Sequence, residues 1–175
     1  TNPIDCEIHL TEQGIKTVNP TPIPLEVGRW PSIQNCALVT HGLRYVFFCE
    51  QDLEMTLTSP FFSQSNYMQY ASIVPGKLNI SRWFRPVMCE FNLWNKGREL
   101  VLKEGEPLAY INFQTNESVE LVRFSMTDRL KAYALGGADA PKWEPFVPLA
   151  KRYKRFMQTR TNRLVLNEIQ KNLVN

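Results

Sequence analysis

Between Val87 and Trp94 the chain alternates strictly, with Val87, Cys89, Phe91 and Leu93 on one phase and Met88, Glu90, Asn92 and Trp94 on the other. Successive side chains on a strand point to opposite faces, so this pattern builds one apolar face. It lacks the three- and four-residue repeat of a helical stripe. A strand also has to satisfy its backbone groups against neighbours, so the segment demands further strands. Its flanks offer them. Asn95-Lys96-Gly97 predicts a turn, Leu100 and Leu102 open a second strand, Lys103 to Pro107 predicts another turn, and Leu108 to Phe113 forms a third strand. The expected unit is a meander of three short strands.

Upstream, Cys6 to Thr11 reads as a short strand, and the proline-rich stretch Asn19 to Pro24 is extended because alternate prolines remove helical donors. Ala37 to Thr58 is rich in β-branched and aromatic residues, and Gly42 punctuates it; strands over 43–49 and 52–58 are expected. Ser59 to Ala71 mixes aromatics with Ser, Asn and Gln, as a long loop or irregular edge strand does. Downstream of the apolar run Ser118 to Phe124, Thr127 is a candidate N-cap for a short helix over Asp128 to Leu135 that Gly136-Gly137 would end.

The last segment reads as helix with a conflict built in. At about 100° per residue, Leu149, Tyr153, Phe156, Met157 and Leu164 share one side, whereas Val165, Leu166, Ile169 and Leu173 fall on the other. One straight helix cannot dock both stripes on a single surface. Either the chain breaks near Thr159 to Asn162, or the second stripe packs on something else, such as a partner subunit.

A length of 175 residues suits a single domain, in which residues 1–141 form the β-rich body and 142–175 a helical extension packed on it. Hydrophobic residues at 43% and charged residues at 21% match a globular chain rather than a disordered one. No apolar run approaches the roughly 18 residues of a membrane span, and the N-terminus lacks a signal-peptide pattern, so no membrane partner and a cytoplasmic location are expected. Cys6, Cys36, Cys49 and Cys89 form no CxxC pair; buried free thiols are expected, with a Cys36–Cys49 bridge as the oxidised alternative. Residues 142–175 hold eight basic side chains against two acidic ones, a net +6, so the first 141 carry −3 of the overall +3. Such asymmetry marks an interaction surface or a dock for the acidic body.

The run Phe84-Arg85-Pro86-Val87-Met88-Cys89-Glu90-Phe91-Asn92-Leu93-Trp94, followed by Leu100 to Tyr110, resembles a segment of dUTPase-like proteins. In that family a strand ending in Phe-Asn precedes a turn and a "lysine, any, glycine, acidic, any, aliphatic, alanine" strand, here Lys103 to Ala109. The resemblance covers about 30 of the 175 residues and implies a β-clip or related distorted barrel. The family's activating Asp and base-stacking Tyr have no counterpart in Asn79-Ile80-Ser81-Arg82-Trp83, and no Gly-rich phosphate loop follows, so the fold alone carries over. From His41 through Phe113 the pattern is also similar to an uncharacterised β-rich family of phage and marine bacterial genomes, to which no activity attaches. The expected fold class is mainly β, as a β-clip-like body, β-sandwich or distorted barrel, with a short helix near 128–135 and a basic C-terminal helix.

Few residues offer chemistry. Glu50, Asp52 and Glu54 would share a strand face about 7 Å apart and could hold a hard cation, or could form an ordinary solvated face. Cys6 and His9, three apart on a strand, point to opposite faces and cannot chelate together. His41, five residues after Cys36, is either a ligand or a turn histidine, and with Glu90 it is the candidate catalytic group. No GxSxG, P-loop or GxGxxG occurs. Lys151, Arg152, Lys154, Arg155, Arg160 and Arg163 could contact nucleic-acid phosphates or a protein partner, with Tyr153, Phe156 and Trp143 interleaved; alternatively Tyr153 and Phe156 anchor the helix to the core. The preferred expectation is a non-enzymatic binding or assembly module without a cofactor, a homo-oligomer joined through Leu166, Ile169 and Leu173. The alternatives are a nucleotide-handling or carboxylate-metal hydrolase on a dUTPase-like fold, and nucleic-acid binding through the basic helix.

Overall fold

A computed structural model of the protein describes residues 6–11, 14–18, 25–29, 37–63, 65–94 and 100–174, with the first three stretches and residues 37, 44, 66, 100 and 138–142 described by backbone alone. The Asn19 to Pro24 stretch, Cys36 and the Asn95-Lys96-Gly97 turn lie outside the described residues. In chain order the strands are β1 (Cys6–Thr11), β2 (Gly14–Val18), β3 (Leu25–Arg29), β4 (Ala37–Val46), β5 (Glu54–Thr58), β6 (Ala71–Ile73), β7 (Gly76–Asn79) and β8 (Pro86–Leu93). Then come β9 (Leu100–Leu102), β10 (Tyr110–Phe113), β11 (Arg123–Phe124), the helices α1 (Asp128–Trp143), α2 (Leu149–Gln158) and α3 (Thr161–Lys171), and β12 (Leu173–Val174). The fold is mainly β. The strands form four sheets, ordered β2-β1-β9, β3-β4-β8-β6, β10-β5-β7 and β11-β12, none closed into a barrel among the described residues. No described helix is long and apolar enough to cross a membrane.

The chain divides into two compact units of interleaved segments. The first comprises Thr1–Leu43, Leu57–Gly76 and Met88–Ile111. Here the alternation works as the sequence predicts: Cys89, Phe91 and Leu93 on β8 are fully buried, while Ala71 to Ile73 of β6 pair antiparallel with Leu93 to Phe91. The Tyr67 ring stands edge-on to Phe91 at 5.3 Å. Two expectations are corrected. β4 starts at Ala37, not at 43, and passes through Gly42, because Ala37 to His41 pair in register with Arg29 to Leu25 of β3. The three strands from 86 to 113 are present but form no meander, since each joins a different sheet and β9 pairs with β1 through Cys6 opposite Leu102. Side chains hold the intervening extended segment instead: Ser65 Oγ donates to Pro107 O at 3.1 Å and Tyr67 Oη to Leu108 O at 2.8 Å. The Lys103–Glu106 turn does form, with Gly105 at φ 78° and Glu106 N donating to Lys103 O.

The second unit comprises Arg44–Thr56, Lys77–Val87 and Asn112–Asn175. Its core is Phe84, Leu130, Ala134, Val165 and Ile169, ringed by half-buried Phe48, Phe124, Tyr133 and Phe156. Thr127 caps α1 as expected, its Oγ1 accepting from Leu130 N at 3.2 Å and donating to Glu168 on α3 at 3.0 Å. The helix runs on through Gly136-Gly137 to Trp143 rather than ending at Leu135. The conflicting stripes are resolved by a break: α2 ends at Gln158, Arg160 takes φ 56°, and α3 restarts at Thr161. Val165 and Ile169 thus reach the same core that Phe156 packs against.

Candidate functional site

The site begins with an asparagine. Asn79, at the end of β7, accepts through Oδ1 from Ser81 N at 3.1 Å, Ser81 Oγ at 2.7 Å and Arg82 N at 3.1 Å. Such a side-chain-closed turn fixes a short loop without any regular ladder. Asn79 Nδ2 donates to Asp52 at 2.6 Å, and Asn79 N donates to Tyr153 Oη at 3.0 Å, which ties the loop to α2. The following Trp83 meets the Tyr153 ring edge-on at 5.6 Å and lies under the Arg85 guanidinium, 4.8 Å from the ring centre.

Against this loop α1 comes unusually close. A Cβ on Gly137 would stand 2.5 Å from Phe84 O and 2.9 Å from Trp83 Nε1, so only glycine permits the approach. Beside that contact lies a cleft of about 280 Å³. Trp83 and Phe84 line it from the loop, Tyr133 and Gly136 from α1, and Arg152, Arg155 and Phe156 from α2. Ala132 and Gly137 of α1, Glu144 and the hydroxyl-bearing Thr159 and Thr161 complete it. The volume lies just below the roughly 300–1,000 Å³ typical of ligand pockets, which sets a small occupant.

The cleft is electrostatically lopsided. Arg152 donates from Nε to Val147 O at 3.1 Å and from Nη2 to Glu144 O, both neutral carbonyls. Its Nη1 is buried and meets no acceptor. The Glu144 carboxylate is instead paired with Arg155 Nη1 at 2.7 Å; this hydrogen bond, then the charges of Arg155, Arg152 and Lys151, hold it below the usual carboxylate range. A buried guanidinium nitrogen without an acceptor loses its hydration with nothing in exchange, so Arg152 lines the cleft as an incompletely satisfied cation. α3 also begins at this cleft, and its N-cap residue Arg160 makes no side-chain cap bond. A helix N-terminus carries partial positive charge.

The other predicted residues are dispersed. Glu50 lies in an exposed bend and only Glu54 belongs to β5. Asp52 accepts from Asn79, Ser81 and Arg82, and Glu54 pairs with Lys77 at 2.5 Å. The three carboxylates therefore do not line one strand face, and no group of three metal-ligating side chains occurs among the described residues. His41 is mid-strand rather than in a turn and fully buried; burial pushes its pKa down to about 4, unlike a base poised for neutral pH. Glu90 is half-buried on β8. Cys49 and Cys89 are free thiols, and burial pushes Cys89 up to about 12. Of the basic set, Lys151, Lys154, Arg155, Arg160 and Arg163 are exposed. Tyr153 and Phe156 pack inward, as anchors rather than as an interleaved stacking surface. Ile169 is buried in the core, Leu166 half-buried and Leu173 exposed.

Sequence reasoning missed Trp83, Gly137, Glu144 and the inward turn of Arg152. A signal for the last existed: Arg152 sits three residues after Leu149 and four before Phe156, a cation inside the docking stripe of α2. No family model, curated protein or solved structure matches the chain.

Proposed function

We propose that the chain is a non-enzymatic binding module that takes a small ligand in the cleft between α1, α2 and the Trp83–Phe84 loop. The observation that carries this is an aromatic-walled cavity of about 280 Å³ that Arg152 lines, a guanidinium whose buried Nη1 has no acceptor. The lining supplies rings for apolar contact and a few fixed donors for orientation, the usual composition of a ligand site. It supplies no group suited to catalysis at neutral pH, since the Glu144 carboxylate is held by Arg155 and the remaining polar groups are guanidinium, phenol and hydroxyl.

Titration calorimetry against a panel of small aromatic compounds tests the reading. Saturable one-to-one binding is expected, and Ala132→Phe, which places a ring at an exposed lining position on α1, is expected to abolish it while leaving the circular dichroism spectrum intact. Binding that survives the filled cleft would refute the site.

Assembly has its own support. Leu173 and Val174 of β12, and Leu121 and Val122 just before β11, are exposed apolar side chains, and exposed apolar patches are characteristic of contact surfaces. Leu173 would join two copies there, without Ile169. Light scattering on the unmodified chain and on Leu121→Asp/Leu173→Asp decides it: an oligomer that dissociates in the variant supports assembly, and a monomer throughout removes it.

A further inference from the structure

The binding reading leaves the chemistry of the ligand open, and resting on that reading, we infer that the cleft selects a small aromatic oxyanion whose charge is received by the Arg152 and Arg155 guanidiniums that line it. Three observations converge. The Arg152 guanidinium is held in place by two backbone carbonyls, those of Val147 and Glu144, neither of which neutralises it. Its third nitrogen, Nη1, is buried and lacks an acceptor, and hydrogen bonds between charged partners are the strong ones. Trp83 and Phe156 wall the same space, so a flat ring fits beside the anion.

Glu144 acts as the resident competitor. Its carboxylate occupies Arg155 Nη1 at 2.7 Å in an exposed ion pair, the kind that contributes little by itself and exchanges readily. A ligand oxyanion that displaces it gains Arg155 as a second donor. Carboxylate and phosphoryl groups share this chemistry, and the probes below separate them.

The experiment is a calorimetric titration of the full chain with 1-naphthoate, 1-naphthyl phosphate and the neutral 1-naphthamide, repeated on Arg152→Gln and Glu144→Gln. At least one of the two anions is expected to bind the unmodified chain tenfold or more tighter than the amide, and the tighter of them identifies the head group. Arg152→Gln is expected to erase that preference, and Glu144→Gln to raise anion affinity severalfold. Equal binding of anions and amide by the unmodified chain overturns the inference whatever the variants do, and leaves the cleft as a ligand site. Absence of saturable binding by all three probes removes the cleft reading itself.

Discussion

Two adjacent glycines on α1 do opposite things. A Cβ on Gly136 meets nothing within 4 Å, whereas one on Gly137 would run into Phe84 O at 2.5 Å. In a helix interior Ala is favoured over Gly by about 1 kcal/mol, because Gly loses more backbone freedom on folding. At Gly136 nothing opposes that gain, so Gly136→Ala is expected to raise stability by up to about 1 kcal/mol. At Gly137 the backbone oxygen cannot swing aside as a flexible side chain could, and the helix has to move off the loop. Gly137→Ala is expected to cost about 1–3 kcal/mol, the range of overpacked interiors. Urea denaturation of both variants checks the pair. Equal effects would mean that α1 does not make this close approach.

At the scale of elements, the junction of α2 and α3 is where the two apolar stripes are reconciled. Arg160 is the sole described residue other than glycine with positive φ, at 56°, and the left-handed region costs an L side chain roughly 1–2 kcal/mol. The Thr159 hydroxyl donates back to Arg155 O at 2.9 Å, ending α2 so that the turn can form. Glycine adopts this conformation without the penalty, offset in part by its greater freedom when unfolded. Arg160→Gly is therefore expected to raise stability by about 0.5–1 kcal/mol in denaturant titration, and a loss would show that the Arg160 side chain holds the junction. This break was legible beforehand, because stripes on opposite sides of one helix are geometrically incompatible. So were the Thr127 cap and the buried phase of β8, both local patterns. The end of α1 was not: Gly136-Gly137 reads as a stop, yet Gly137 serves a tertiary contact with Trp83 and Phe84 that no local rule contains. The missing meander has the same origin, since strand partners such as β1 for β9 are fixed at long range. The cleft was illegible for a related reason. Asn79, Gly137, Glu144 and Arg152 are far apart in sequence, and Asp52, read as one of a carboxylate row, is engaged by the loop that Asn79 closes.

For the whole molecule, the response to acid is set by a residue that sequence reasoning singled out for chemistry. His41 is fully buried, and the loss of hydration on burial lowers its pKa from 6.5 to about 4. Between those values the unfolded chain binds a proton at His41 that the folded chain refuses. The stability it contributes is complete above pH 6.5 and is lost as pH falls toward 4. The loss is about 2 kcal/mol by pH 5 and on the order of 3 kcal/mol by pH 4, a large part of the stability of an ordinary domain. Carboxylates such as Asp52 and Glu144, held below their usual range by hydrogen bonds from Asn79 and Arg155, destabilise the fold only at more acid pH, as they protonate. The two effects therefore fall in different windows. Urea midpoints at pH 7, 6 and 5 are expected to decline steadily in the unmodified chain and to change much less in His41→Gln, which has no proton to take up. Parallel declines in both would assign the acid sensitivity elsewhere and mean that His41 is accessible to protons, restoring it as a candidate base.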